Sequence, residues 1–544
     1  MATKVKGDKN GKKRRSLGFV QAVLGKPSGV IQPRVQVVGP EHFGIVSVDC
    51  AKDRSKWMLC DFYGKVLVPP TTVEHRRGDL QTTLASLRQA LQSHRIKDQI
   101  VCIEMTGTYH LIVWRTFRQA GFETRLVHPF ASSHYRAPEN GSIKTDDNDL
   151  IAIFRAATNG FGLIEQTRDD VFQSLQLLAR HRRDLVSKRA KLQCQIRHHL
   201  QRCLPGYTTL FPTTDLWDHP IGLMVLRFIA EHGGTHHALL EASVPGVNKW
   251  LKEQRCAFQS RSVERIVAWA SDAATGDPMA PVLTRIWQAL LVDWNQKTSQ
   301  IVQVERDLAG LLAKTSWILL LSHPGINVVS AAEVGGECGP IQNYACPKAI
   351  TGRAGLFPSR YQSDKVDRGG NLSRFRNAKM RAAFLLAADN LVKCNEYWRG
   401  KYNLWKSQGH DPRDLRCRVA NRFTRTVFQM IAGRKIYQHR SRLDRGYIMQ
   451  KLLEFLRDRQ TPAATILTIL KDAADQLPAT ARAEEAQLLA DIQRKAANSR
   501  RSEPQELGTL LVHVLERLGV TSQSPTVNST SLEAPEADAS VSDR

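Results

Sequence analysis

From Phe43 to about Gly162, short apolar runs alternate with stretches of helical periodicity. Residues 44–49 read as a strand, 57–62 and 65–68 as a hairpin about Tyr63-Gly64, and 79–93 as a helix. Strand 99–104, helix 109–119, strand 123–127 and helix 146–157 complete the block. Hairpin strands followed by strand–helix–strand units predict a mixed α/β sheet. The period then changes. Val171, Leu175, Leu178, Arg182, Leu185, Arg189, Leu192, Ile196, His199 and Cys203 recur at spacings of four and three, a heptad seam broken by two arginines. Leu283, Trp287, Leu290, Trp294, Lys297, Ile301, Val304, Leu308 and Leu311 form a second seam beyond an insertion containing Gly233-Gly234. Two such helices predict a coiled coil, formed either as an internal antiparallel hairpin or between copies of the chain.

A third block, 317–440, opens with a helix at 317–321, the turn His323-Pro324-Gly325-Ile326-Asn327 and a helix at 328–334. Helical periodicity continues through 441–520, as at 448–456 and 508–518. The ends are different in kind. Residues 1–35 form a basic arm in which Lys12, Lys13, Arg14 and Arg15 have nothing to bury, and 521–544 form an acidic Ser/Thr/Ala-rich tail expected to be disordered. The reading divides the chain at 36–165, 166–316, 317–440 and 441–520 between those ends.

Charge narrows the partner. The 544 residues carry 77 Lys plus Arg against 52 Asp plus Glu, a net charge of +25, which points to a polyanion. Hydrophobic residues make up 42%, enough for real cores. No apolar run is long enough to span a membrane, and the ten cysteines include no C-x-x-C pair, so a cytoplasmic protein without a disulfide framework is expected. His232, His236 and His237 are interrupted by two glycines, which argues against a zinc helix.

The candidate chemistry begins with carboxylates. Asp49 and Glu104 each end an apolar strand, while Asp146 and Asp149 sit three apart on one face of the helix opened by Lys144-Thr145. Asp147 is turned off that face by roughly 100°. Converged, four such oxygens suit hard divalent cations that hold a scissile phosphate. Taken one at a time, they are also ordinary strand exits and helix N-terminal acids.

The order Val48-Asp49, then Ile103-Glu104-Met105-Thr106-Gly107-Thr108-Tyr109, then Lys144-Thr145-Asp146-x-x-Asp149 resembles the DEDD domain of the insertion-sequence 110 family of transposases. These are relatives of the Piv-type DNA invertases. The resemblance implies a RuvC-like, ribonuclease-H-type N-terminal domain in which Asp49, Glu104, Asp146 and Asp149 bind Mg²⁺. It implies a central coiled coil that joins copies into a homo-oligomer, dimer or tetramer, and a mainly helical transposase domain after it.

The segment Ala354-Gly355-Leu356-Phe357-Pro358-Ser359-Arg360-Tyr361-Gln362-Ser363 is similar to the family's C-terminal domain, where a Gly-Leu-x-Pro run leads to a nucleophilic serine. Spacing from that run gives the role to Ser363, with Ser359 as the alternative, on what is expected to be a surface loop. Arg368-Gly369, Ser373-Arg374 and Asn377 with Arg381 match the basic segment that follows, while Asp364 and Arg376 stand where the family commonly has Gly; Arg368, Arg374, Arg376 and Arg381 are the candidate phosphate contacts. A serine hydroxyl is a weak nucleophile and needs a base, metal or polarising site, and a phosphodiester needs cations for its developing charge. The resemblance thus implies DNA cleavage and rejoining through a phosphoserine, guided by a structured noncoding bridge RNA that pairs with donor and target. A metal-dependent junction-resolving nuclease using water and a non-catalytic nucleic-acid-binding scaffold are the rival readings.

Overall fold

The computed structural model describes residues 31–136, 145–164, 170–211, 216–363, 366–374, 376–437 and 445–478. Lys12, Lys13, Arg14, Arg15, the helix expected at 508–518 and the acidic tail lie outside them. The chain divides into two compact units, Met1–Thr167 and Arg168–Arg544.

In the first unit, a short helix α1 (Gln32–Val38) precedes β1 (Phe43–Cys50), β2 (Arg54–Asp61) and β3 (Val66–Glu74). Then come α2 (Arg77–Ser93), β4 (Asp98–Glu104), α3 (His110–Gln119), β5 (Thr124–Val127), α4 (Pro129–Tyr135), α5 (Asp146–Thr158) and the two-residue β6 (Leu163–Ile164). The sheet order is β3-β2-β1-β4-β5-β6. β1 to β3 are antiparallel neighbours, β4 runs parallel to β1 and β5 parallel to β4, a mixed sheet consistent with the ribonuclease-H-type expectation. Gly64, at φ +94°, supplies the left-handed residue that turns β2 into β3. β3 runs longer than expected, through Pro69-Pro70, because it is an edge strand where missing N–H groups cost no ladder bonds.

Strand alternation sends side chains to two cores. Val46, Val48, Val101 and Ile103 face Leu87, Val113 and Phe117 of α2 and α3. Phe43, Ile45, Ile100 and Cys102 face Val35, Ala131, Ile153 and Ala156 of α1, α4 and α5. By the same period of two, Asp49 and Glu104 belong to the second face, the one α5 covers.

Among its described residues, the second unit is helical apart from one hairpin. Helices α6 (Asp170–Cys203) and α10 (Ala280–Ala313), each of 34 residues, run antiparallel along each other inside one chain. Phe172, Leu175 and Leu185 of α6 meet Ile301, Val304 and Leu308 of α10 in one core. At the other end, Ile196, Leu200 and Cys203 meet Leu283, Trp287 and Trp294 in a second core. The two predicted seams are therefore paired with each other. The insertion between them folds as α7 (Pro220–Glu231), α8 (His237–Glu253) and α9 (Ser260–Asp272) over that second core.

Beyond α10, the helix expected at 317–321 is a tight 3₁₀ segment, Ser316–Ser322, because His323-Pro324 ends it before an α-helix can propagate. The chain continues as α11 (Val328–Cys338), α12 (Pro347–Ala354), β7 (Pro358–Ser363), β8 (Val366–Leu372), α13 (Ala378–Cys394) and α14 (Glu396–Ser407). The described residues close with α15 (Pro412–Ala432), α16 (Arg445–Asp458) and α17 (Ala463–Gln476). Among the described residues, no helix is long and apolar enough to cross a membrane.

Candidate active site

The carboxylates come together for reasons visible in the backbone. Val48 pairs with Ile103 across the parallel β1/β4 ladder, so Asp49 and Glu104 follow as neighbours at the same end of adjacent strands. α5 begins beside them. Its first turn holds Asp146, Asp147 and Asp149, and the Thr145 hydroxyl caps it by accepting from the Asn148 amide at 3.3 Å. α5 packs on β1 through Ile153, Ala156 and Ala157 and turns Asp149 inward, leaving that carboxylate 3% exposed. Asp147 points elsewhere, to an ion pair with Lys56 at 2.5 Å.

The electrostatics report the convergence. Burial, followed by the carboxylates of Glu104, Asp149 and Asp146, pushes Asp49 up to about 6. Two further side chains, both from α4 or its end, hold the buried acids. Ser132 donates to Glu104 Oε1 at 2.6 Å, and Arg136 Nε donates to Asp149 Oδ1 at 2.6 Å. Neither follows from local spacing, since they stand 28 and 13 residues from their partners. Among the described residues, no three His, Cys, Asp or Glu side chains close round a metal-sized point. The donor set still suits a hard divalent cation: it is all carboxylate oxygen, and the mutual repulsion that raises Asp49 is what such a cation relieves.

The second constellation lies in the other unit. Ser363 is the last residue of β7, opposite Val366 of β8, so the surface loop expected there is a two-stranded hairpin. The pattern hid it because Ser359, Arg360, Gln362, Asp367 and Arg368 supply almost no apolar alternation. The Ser359 hydroxyl is engaged, donating to the Asn371 carbonyl at 3.0 Å across the hairpin. Arg368 pairs in register with Tyr361.

The expected phosphate-binding arginines divide by position. Arg374 and Arg376 are exposed, with Arg376 Nη1 donating to the Arg374 carbonyl at 3.1 Å. Arg381 instead clamps the chain before the hairpin to the chain after it. Its Nε donates to the Ala354 carbonyl at 3.0 Å, and its Nη2 to the carbonyls of Gly355 at 2.6 Å and Ser373 at 2.5 Å. Gly355, at φ +62°, has no Cβ to displace that guanidinium. Asn377 completes the brace. Its carbonyl oxygen caps α13, accepting from the Lys379 and Met380 amides, while its Nδ2 donates to buried Glu337 at 2.9 Å.

Two family models match the chain. One, of the DEDD transposase domain, covers residues 46–205, and the other, described as the transposase IS116/IS110/IS902 family, covers 318–403. A curated relative, the transposase for insertion sequence element IS1328 of Yersinia enterocolitica, is 24% identical over 154 residues. That match takes in 28% of this chain and 46% of the relative, so the chain spans about half the relative's length.

Proposed function

We propose that this chain, which belongs to the IS116/IS110/IS902 family of transposases, cuts and rejoins DNA through a transient serine–phosphate linkage. The observation that carries the proposal is the placing of Asp49 and Glu104 at neighbouring strand ends beside the first turn of α5, where burial, followed by the charges of Glu104, Asp149 and Asp146, lifts Asp49 to about 6. A divalent cation, with Mg²⁺ the proposed ion, would be held by those four residues and would supply Lewis-acid polarisation of a phosphate oxygen.

The chain's own groups would do the rest. The Ser363 hydroxyl attacks phosphorus, its Oγ–P bond forming as the bond to the leaving deoxyribose oxygen breaks. The serine hydroxyl gives up its proton to a base as it attacks, and the leaving oxygen takes one up. Rejoining runs the exchange backwards with a new DNA hydroxyl. Ser363 is favoured over Ser359 because the latter's hydroxyl is held in the hairpin by the Asn371 carbonyl. Arg374 and Arg376, exposed just past the hairpin, would bind phosphate, as would Arg368 and the arm residues Lys12, Lys13, Arg14 and Arg15. Arg381 would act at one remove, holding the hairpin's base. The net charge of +25 accommodates a structured guide RNA beside donor and target DNA, and copies of the chain would assemble around them.

The test is a denaturing gel of protein incubated with labelled donor DNA, Mg²⁺ and co-purified RNA. Wild type should give a slow, protease-sensitive band that Ser363→Ala abolishes and Ser359→Ala leaves. Cleavage without any adduct would transfer the case to a nuclease that uses water.

A further inference from the structure

Three of the exposed arginines of α15 share one face and have no role in the reaction above. Arg418, Arg422 and Arg425 recur at i, i+4 and i+7, so they form one stripe about 10 Å long. The side of α15 turned away from the stripe, which carries Val419, Phe423 and Val427, is buried in the core of the unit. No ion pair joins any of the three to a described carboxylate, whereas Arg416, off the stripe, meets Asp389 at 2.6 Å. Like charges at i, i+4 destabilise a helix, and the one acid of α15, Asp414, stands a turn before Arg418 without an ion pair to it.

Two further observations give the stripe a direction. The Arg422 guanidinium lies 4.6 Å over the Trp405 ring, which fixes it while leaving its donors outward. α15 is also bonded to the chain that leads into the hairpin: Asn421 Nδ2 donates to the Leu356 carbonyl at 3.0 Å, and the Thr424 and Thr351 hydroxyls share a hydrogen bond at 2.8 Å. The stripe is therefore held at a fixed position relative to the base of the strand that carries Ser363.

We propose that Arg418, Arg422 and Arg425 form a track for the phosphate backbone of duplex DNA flanking the phosphate at which Ser363 acts. This rests on the DNA-joining function proposed above. A planar, outward guanidinium grips phosphate oxygens in pairs, and three along a helix reach successive phosphates without reading base sequence. The track adds affinity and register and leaves sequence choice to other parts of the complex.

The test uses the full chain and a labelled random-sequence DNA duplex, with binding measured across a salt series. Replacing Arg418→Gln, Arg422→Gln and Arg425→Gln together should flatten the slope of log affinity against log salt by about 2.7, at roughly 0.9 per phosphate contact. Between about 50 and 200 mM salt, that amounts to about 40-fold less loss of affinity than wild type suffers. Arg416→Gln should leave the slope unchanged, and the triple lysine variant should restore most of it. An unchanged thermal midpoint in the triple variant shows that the loss is one of contacts. A triple variant with the wild-type slope on DNA overturns the inference and leaves the proposed function standing. A slope that flattens on structured RNA alone overturns the assignment to DNA. Wild type that shows no salt-dependent DNA binding overturns both readings.

Discussion

Asp49 shows how much one residue's surroundings decide. Its folded value of about 6 stands above the ordinary 3.8, so between those limits the folded protein holds a proton that the unfolded chain has released. More protons bound in the folded state means that stability falls as pH rises through this window, and above it the full repulsion remains. A cation at the carboxylates competes with that proton and relieves the repulsion. The rise in thermal midpoint caused by millimolar Mg²⁺ should therefore be small near pH 4.5 and large near pH 7.5, with about half the change complete near pH 6. Asp49→Asn should raise the metal-free midpoint at neutral pH and abolish the Mg²⁺ response. Equal Mg²⁺ shifts at both pH values would refute the metal assignment. Asp49 and Glu104 were legible in the sequence because each closes an alternating apolar strand. Ser132 and Arg136 were not, because only the fold brings α4 onto those acids.

At the scale of elements, Arg182, which interrupts the apolar seam, and its neighbours Arg180 and Arg183 are each paired with a buried acid. Arg182 Nε donates to Glu305 Oε1 at 2.6 Å, and Arg459 also reaches Glu305, at 2.5 Å. Arg183 meets Glu333 at 2.6 Å, and Arg180 grips Glu337 through both Nε and Nη2 at 2.7 and 2.9 Å. Burial works to raise Glu337, but hydrogen bonds from Arg180, Asn377 and Gln176 outweigh it and hold the carboxyl below the usual range. Heptad spacing located the seam and could not find these partners, which lie 123 to 157 residues away. Glu337→Ala should cost about 1–3 kcal/mol in urea unfolding, because it leaves Asn377 and Gln176 unpaired while the half-exposed Arg180 regains water. A loss below about 1 kcal/mol would mean that the network is solvated and of little weight. The β7–β8 hairpin was the harder element to foresee. Its strands are polar, and it is held at its base by Arg381 and Asn377, residues that on sequence alone belong with a phosphate-binding run.

For the whole molecule, the balance of 77 basic against 52 acidic residues points to a polyanion, and the basic arm adds to it. For 6–10 phosphate contacts, affinity should fall by roughly 10³–10⁵ between 50 and 200 mM salt. Deleting residues 1–35 should flatten that response while adduct formation persists at low salt. Loss of the adduct at low salt would place the arm in the chemistry itself. The boundary between the two compact units falls near residue 170, where the hydrophobic period changes from two to heptad.

The paired helices α6 and α10 carry two separate cores, and between them lies a stretch that neither core claims. One core ends at Leu185 and Ile301 with Val186 against it, the other begins at Ile196 and Trp294 with Leu192 against it, and half-buried polar residues such as Arg189, Gln193 and Lys297 stand along the stretch between. Apolar burial is the main term that couples distant amides into one cooperative opening, so a polar waist is where that coupling weakens. Each long helix should thus belong to two foldons although its backbone hydrogen bonds run unbroken. In native-state hydrogen exchange, amides of 196–203 should open together with the 220–272 insertion, and amides of 172–185 with 301–312. A single opening energy along all of α6 would show that the waist transmits cooperativity as well as a core does. With two energies, the insertion could unfold and refold as a passenger while the part of the rod that supports Ser363 stays closed.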